Sequence, residues 1–480
     1  MSDARTPPPP LSRGAKFSYG IGATALGLKD NGFSYLLLLF YNQVVGLPAA
    51  TVGLAIMIAL MVDAVLDPII GQLSDNWRSR WGRRHPFMYF AAAPVALSYL
   101  LLWHPPLGWS DEGLFVYLIV VSVLIRTFLS LFEIPSAALA PELTSDYHGR
   151  TALMSYRAGF NWYGGLIMSI LTFQLFLQPS AEQPVAQLNA AGYATYGNVS
   201  AAVMFIVILI SALGTHSRIP WLRSPPPQRL GARRALKEMF SVMTNRALVP
   251  ILGAGVCNAM AYGLSVALSL YFNTFFWGFG PDQVSLFVLA QFGSSALAIW
   301  FTGPLSRRLG KRDAAILCKL LVPTLGLSPI ALRLLGLFPD NDSVLLLPIM
   351  LCFHLLSVTF ASIVAILHGS LSADIVEDQE LKTGRRSEGV MAAASIFVAK
   401  TTSGIGIFAS SLLLGLVGFP EGAVPGQVDE AIVRNLAFVF VPTVFLMHAG
   451  AVAFILRYRI TSESHAATVA ALAARAGTQG

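Results

Sequence analysis

Asp63 and Asp67 stand four residues apart inside an apolar run that begins near Thr51, so on a helix both carboxylates point the same way, one turn apart. At mid-depth in a bilayer each acid costs about 2.5–3.5 kcal/mol, and something must solvate it. A cation would. The structural alternative makes Asp67, beside Pro68, a helix-end residue and leaves Asp63 neutralised by a neighbour. Directly after the run come Arg78, Arg80, Arg83 and Arg84, a basic loop of the kind that marks the cytoplasmic side. A same-face acid pair above such a loop implies cation-coupled movement of a solute across the membrane.

Few other ionisable residues lie inside apolar runs. They are Lys29 and Asp30 in the first, Arg126 and Glu133 in the fourth, Arg157 in the fifth, Lys319 and Arg333 in the ninth, and Lys400 in the eleventh. Asp30, Asp63, Asp67 and Glu133 all fall in the amino-terminal half. In low dielectric they cannot all stay ionised unless Lys29, Arg157, Lys400 or a bound ion balances them. Carboxylates accept several hydrogen bonds and arginine donates several, which suits a hydroxyl-rich solute beside the cation. Proton binding is the other chemistry open to the same acids, so the coupling ion reads as sodium or a proton. Arg126 and Glu133, seven apart, share a helix face and are expected to form a structural ion pair. Lys319 and Arg333 are expected to snorkel from span ends. His354, His368 and His448 have no metal spacing and read as buried neutral side chains.

Long apolar elements must hold these groups. The 480-residue chain is 55% hydrophobic and 12% charged, with a mean hydropathy of +0.64, which excludes a soluble globular protein. Runs of about 20 apolar residues give twelve spans. Their bounds are 17–42, 51–73, 87–104, 113–139, 152–178, 199–214, 247–276, 282–305, 314–337, 343–373, 389–418 and 432–457. Lys and Arg fill alternate loops, so both termini face the cytoplasm, and the net charge of +7 follows from topology rather than from a nucleic-acid patch. Cys257, Cys318 and Cys352 sit in apolar runs and read as inert thiols.

Residues 1–16, with Pro7 to Pro10 and no cleavable hydrophobic region, read as a disordered cytoplasmic tail, and 458–480 as a second tail. The loop 215–246 separates two six-span halves, 17–214 and 247–457. Within it Leu236, Met239, Phe240 and Met243 have the spacing of a helix lying on the membrane surface, and a solvated linker is the other reading. Gly71-Gln-Leu-Ser with Gly82-Arg-Arg after span two is echoed by Gly303-Pro-Leu-Ser with Gly310-Lys-Arg after span eight, and Gly149-Arg150 by Gly384-Arg385. That is one duplication in parallel orientation. Gly159, Gly164, Gly165, Gly404 and Gly406 thin spans five and eleven for close packing. Neither a nucleophile elbow nor an HExxH motif occurs, so no enzyme activity and no cofactor is expected.

In order and spacing these pieces resemble the glycoside-pentoside-hexuronide:cation symporters, the melibiose-permease-like branch of the major facilitator superfamily. The resemblance rests on Lys16-Phe-Ser-Tyr-Gly-Ile-Gly leading to Lys29-Asp30, on Val45-Gly-Leu before Asp63-Ala-Val-Leu-Asp67-Pro-Ile-Ile-Gly, and on Arg78-Ser-Arg-Trp-Gly-Arg-Arg-His-Pro86. Glu133-Ile-Pro with Ala140-Pro141, Ser155-Tyr-Arg157, Ala373-Asp374-Ile-Val-Glu-Asp, Arg386-Ser-Glu388-Gly and Val398-Ala-Lys400 continue it. It implies an all-α membrane protein of twelve transmembrane helices in the major facilitator fold of two six-helix halves. It further implies that Asp63 and Asp67, with Ser130, hold the coupling cation, and that Asp30 and Glu133 hydrogen-bond the sugar, aided by Lys29 and Arg157. Lys400 would balance charge near the cation, and Arg78, Arg80, Arg83 and Arg84 would form a gating loop. Two positions depart from the family pattern: its acid at 133 is usually aspartate, and its sugar-stacking aromatic falls at Ala137.

The expectation is therefore a secondary active transporter, a cation (sodium or proton):sugar or glycoside symporter working by alternating access. The alternative is a cation-coupled carrier of lysolipids or other amphiphiles on the same fold. Its partners would be a small-molecule substrate and the lipid bilayer, with no nucleic acid, and the chain would be a monomer. The location would be the plasma membrane, or the inner membrane of a Gram-negative cell.

Overall fold

The computed structural model of the chain describes residues 11–144, 147–181, 183–222, 249–383 and 388–458, with Thr468 and Ala471. The surface helix expected at 236–243, the Gly384-Arg385-Arg386 turn and most of both tails lie outside these residues. Among the described residues the chain is helical, with no strand.

Among the described residues twelve long helical runs succeed one another. The first, α1, covers 13–44 and is broken: Arg13–Ile21 and Thr24–Asn31 are α-helical, Gly32–Leu36 and Phe40–Val44 are π-helical turns, and Leu37–Leu39 joins them. Then come α2 (Ala49–Asn76), α3 (His85–Leu102), α4 (Asp111–Leu143), α5 (Tyr147–Leu171, continued by the π turn Thr172–Phe176) and α6 (Ala190–His216). The rest are α7 (Val249–Phe276), α8 (Pro281–Leu309), α9 (Lys311–Leu334), α10 (Leu346–Thr383), α11 (Glu388–Leu416) and α12 (Glu430–Ile455). Ten of the twelve are long and apolar enough to cross a membrane. The other two are α1, which is interrupted, and α5, where Arg150, Ser155, Arg157 and Asn161 dilute the apolar run. Large apolar side chains such as Phe90, Leu97, Ile299, Trp300 and Leu446 are left exposed, as lipid-facing surface requires.

The chain divides into two compact units, Met1–Ala232 and Arg233–Gly480. Within the first, α2 packs on α4, α3 on α4 and α6, and α1 on α5 and α6. Within the second, α8 packs on α10, α9 on α10 and α12, and α7 on α11 and α12. Adding six to each helix of the first set gives the second, so the parallel duplication written into the loop motifs is also the packing pattern.

Glycine makes the equivalent close approaches. A Cβ on Gly27 would collide with the Asn161 carbonyl, and one on Gly165 would lie 2.7 Å from the Gly27 carbonyl oxygen, so α1 and α5 touch backbone to backbone. In the second unit a Cβ on Gly263 would lie 2.6 Å from the Ser403 carbonyl oxygen, and one on Gly406 2.5 Å from that of Met260, which joins α7 to α11 in the same way. Gly159, expected to serve packing, instead faces open space because it lies on the other side of α5.

Candidate functional site

The site is built by α2 and α4, the most apolar helices of the first unit, which pack side by side. From α2, Asp63 is buried, 3% exposed, and Asp67 half-buried one turn later. Pro68 follows at once, and having no N–H it leaves the Ala64 carbonyl without its usual helical donor between the two acids. From α4, Ser130 projects into the gap between the carboxylates. Its Oγ lies 3.0 Å from Asp63 Oδ1 and 2.7 Å from Asp67 Oδ1. One hydroxyl has one proton and donates to one carboxylate at a time. The second contact is satisfied when that aspartate is protonated and donates, or when a cation takes all three oxygens. Hard oxygen donors of this kind suit an alkali cation or a proton, not a soft metal.

Asp63 has a second partner. Arg126, one turn before Ser130 on α4, brings Nη1 to 3.3 Å from Asp63 Oδ2, and its guanidinium lies over the Phe33 ring at 4.7 Å from the centroid. Both side chains are nearly inaccessible, at 5% and 3%. This corrects the ion pair expected between Arg126 and Glu133. Seven residues of helix rise place those two about 10 Å apart along the axis, whereas the neighbouring helix offers a carboxylate at contact.

Glu133 is half-buried on the next turn of α4, and among the described residues its carboxylate has no hydrogen-bonding partner. Arg157 of α5 approaches its backbone instead. Arg157 Nη1 donates to Ser136 Oγ at 2.8 Å and Nη2 to the Glu133 carbonyl at 3.4 Å, while Ser136 donates to the same carbonyl at 3.1 Å. On α1, Lys29 is buried and reaches the Asp30 carboxylate at 2.6 Å, leaving more than half of the Asp30 side chain exposed. Ala137 lies half-buried on α4. The structure thus gathers Asp63, Asp67 and Ser130 into one cluster, holds Arg157 beside the backbone of Glu133, and pairs Lys29 with Asp30. Lys400 belongs to α11 of the other unit, where it is half-buried.

The basic loop is tied down within the first unit. Arg84 Nε donates to Glu142 Oε1 at 2.9 Å and its Nη2 to the same atom at 2.6 Å, and Arg83 joins them. Asp75, at the end of α2, lies 3.3 Å from Arg84 and 3.7 Å from Arg83. Arg78 caps the carbonyls of Asp75 and Trp77, and Arg80 lies over the Trp81 ring. Glu142 is the residue the sequence reading missed, although an acid directly after Pro141 at the carboxyl-terminal end of α4 was a visible signal. The second unit repeats the device: Lys311, at the start of α9, holds Asp374 of α10 at 2.7 and 2.9 Å.

The MFS/sugar transport protein family model matches residues 18–462. The chain belongs to that family. Its members are transporters of the major facilitator fold. Among curated relatives, an uncharacterised symporter of Synechocystis sp. is 27% identical over 94% of this chain and 94% of its own. The isoprimeverose transporter of Lactiplantibacillus pentosus is 26% identical over 89% of this chain and 85% of its own. Among solved structures, the xylose transporter XylE from E. coli in its inward-open conformation superposes with a TM-score of 0.61 at 15% identity, over 93% of this chain and 96% of that one. As a family member the chain is a multi-pass membrane transporter, and the paired acids of α2 are groups within a transport protein.

Proposed function

We propose that this protein is a secondary active symporter that carries a glycoside or related sugar by alternating access, driven by sodium or a proton at Asp63, Asp67 and Ser130. The observation that carries the reading is the single Ser130 hydroxyl placed within 3.0 Å of both aspartates. Two carboxylates converging there repel each other, and a cation that enters and leaves relieves the repulsion each time. The carboxylate of Glu133, without a partner among the described residues, and the half-exposed Asp30 are the acceptors offered to sugar hydroxyls, with Arg157 and Lys29 positioning them. Lys400 serves charge balance and the Arg78–Arg84 loop serves gating. The isoprimeverose transporter among the relatives supports a glycoside. The protein works as a monomer in the plasma membrane, or the inner membrane of a Gram-negative cell, with both termini cytoplasmic.

One observation favours an amphiphile instead: a cavity of about 530 Å³ in the first unit walled by Ile21, Leu28, Phe160, Tyr163, Ile167 and Met168, which would accept an acyl chain. A transport screen in proteoliposomes separates the two. Sugars, glycosides and lysolipids are offered under imposed sodium or proton gradients. The reading predicts gradient-driven glycoside uptake, and Glu133→Gln should raise the half-saturating glycoside concentration about tenfold, the loss of one charge-assisted hydrogen bond or more. Lysolipid uptake without glycoside uptake would replace the sugar assignment.

A further inference from the structure

The second unit holds a buried charge that the transport reading does not use. Lys319 was expected to snorkel from the end of its span, yet it is 2% exposed, on a face of α9 that also buries Ala314, Ala315 and Cys318. That face packs against α10 and α12, so the side chain is buried rather than snorkelling. Its Nζ donates to Asn258 Oδ1 on α7, and among the described residues no carboxylate lies within ion-pair distance of it. An ammonium has three donors, and an amide oxygen takes one without neutralising the charge. Inside a membrane-spanning helix an uncompensated lysine is costly.

Beside Lys319 is a cavity of about 340 Å³, a volume in the range of small-ligand pockets. Lys319, Asn258 and His368 line it with the aliphatic side chains of Leu252, Val364 and Ile455. His448 of α12, the helix packed against α9, is also buried. A pocket with apolar walls, one ammonium and an adjacent amide NH₂ offers two convergent donors and one positive charge in low dielectric, where attraction to a negative charge is strong. We propose that this cavity is a binding site for a monovalent anion of carboxylate size, with Lys319 neutralising it and Asn258 orienting it. The anion is either the carboxylate of a solute or a free inorganic ion, and the site stands whether or not cations drive transport.

The test is thermal unfolding of the purified full-length protein in detergent, titrated with sodium glucuronate, sodium chloride or glucose at constant sodium, with HEPES as the balancing anion. Wild type should gain melting temperature with glucuronate and not with glucose. Chloride matching glucuronate identifies a free inorganic anion, and chloride without effect identifies a solute carboxylate. Lys319→Gln should weaken the anion about tenfold or more, and Lys319→Arg should keep most of the affinity. Asn258→Asp places a carboxylate of the chain beside the ammonium. It should melt higher without ligand and no longer respond to anions, a readout that survives if Lys319→Gln does not fold. An absent response to both anions in wild type, or an unchanged response in Lys319→Gln or Asn258→Asp, would overturn the proposal.

Discussion

At Ser130 two aspartates share one hydroxyl proton, and Arg126 stands behind one of them. That asymmetry separates the two acids: Asp63 is the more firmly anchored and Asp67 the more accessible. Removing Arg126 takes a buried guanidinium away from the Asp63 carboxylate, and breaking such a pair typically costs about 3–5 kcal/mol. Arg126→Met should therefore unfold at markedly lower temperature than wild type. Asp63→Asn combined with Arg126→Met should recover most of the loss, and equal melting of Arg126→Met and wild type would show that the pair contributes nothing. The acids were legible in the sequence because spacing along one helix fixes a shared face. Their partners were less so, because Arg126 chose a carboxylate across α2 and α4 rather than one along its own helix. Lys319 was misread for the same reason: which face of α9 is buried is decided by α10 and α12, not by distance from a span end.

At the level of elements, α1 against α5 and α7 against α11 depend on backbone contact. Gly27→Val and Gly406→Val must each push two helices apart and should abolish detergent-stable protein, whereas Gly159→Ala, facing open space, should leave yield and melting temperature unchanged. Fluorescence-detected size-exclusion chromatography reads both, and normal elution of Gly27→Val would contradict the close-packed interface. The glycines were visible as composition, but which of them meet a neighbouring backbone depends on the azimuth of each helix. The breaks in α1 were invisible altogether, since its apolar run continues through both π turns. There the hydroxyls of Tyr99 and Tyr196 reach the Leu28 carbonyl, just before Lys29 and Asp30. The ties of Arg84 to Glu142 and of Lys311 to Asp374 were half legible: the basic loops stood out, their acids did not.

For the whole molecule, the order of twelve spans, the two halves and the duplication were readable because bilayer thickness fixes span length and loop charge alternates. The six-helix offset in the packing shows the duplication in space. The proposed cytoplasmic placement of the basic loops predicts that a fluorescent reporter fused to the carboxyl terminus glows and that a phosphatase fused there stays inactive. The reverse pair of results would invert the topology. The duplication also exposes how unlike the units are, with the paired acids Asp63 and Asp67 in the first and the buried Lys319 in the second. The proposed cation coupling rests on the first unit. Its most direct measurement is uptake of a transported glycoside into proteoliposomes with and without an inward sodium or proton gradient, in wild type and in Asp67→Asn. Wild type should accumulate solute only with the gradient of its ion, and Asp67→Asn should lose that stimulation while the protein stays folded. Equal stimulation in both would contradict a cation site at the α2 acids.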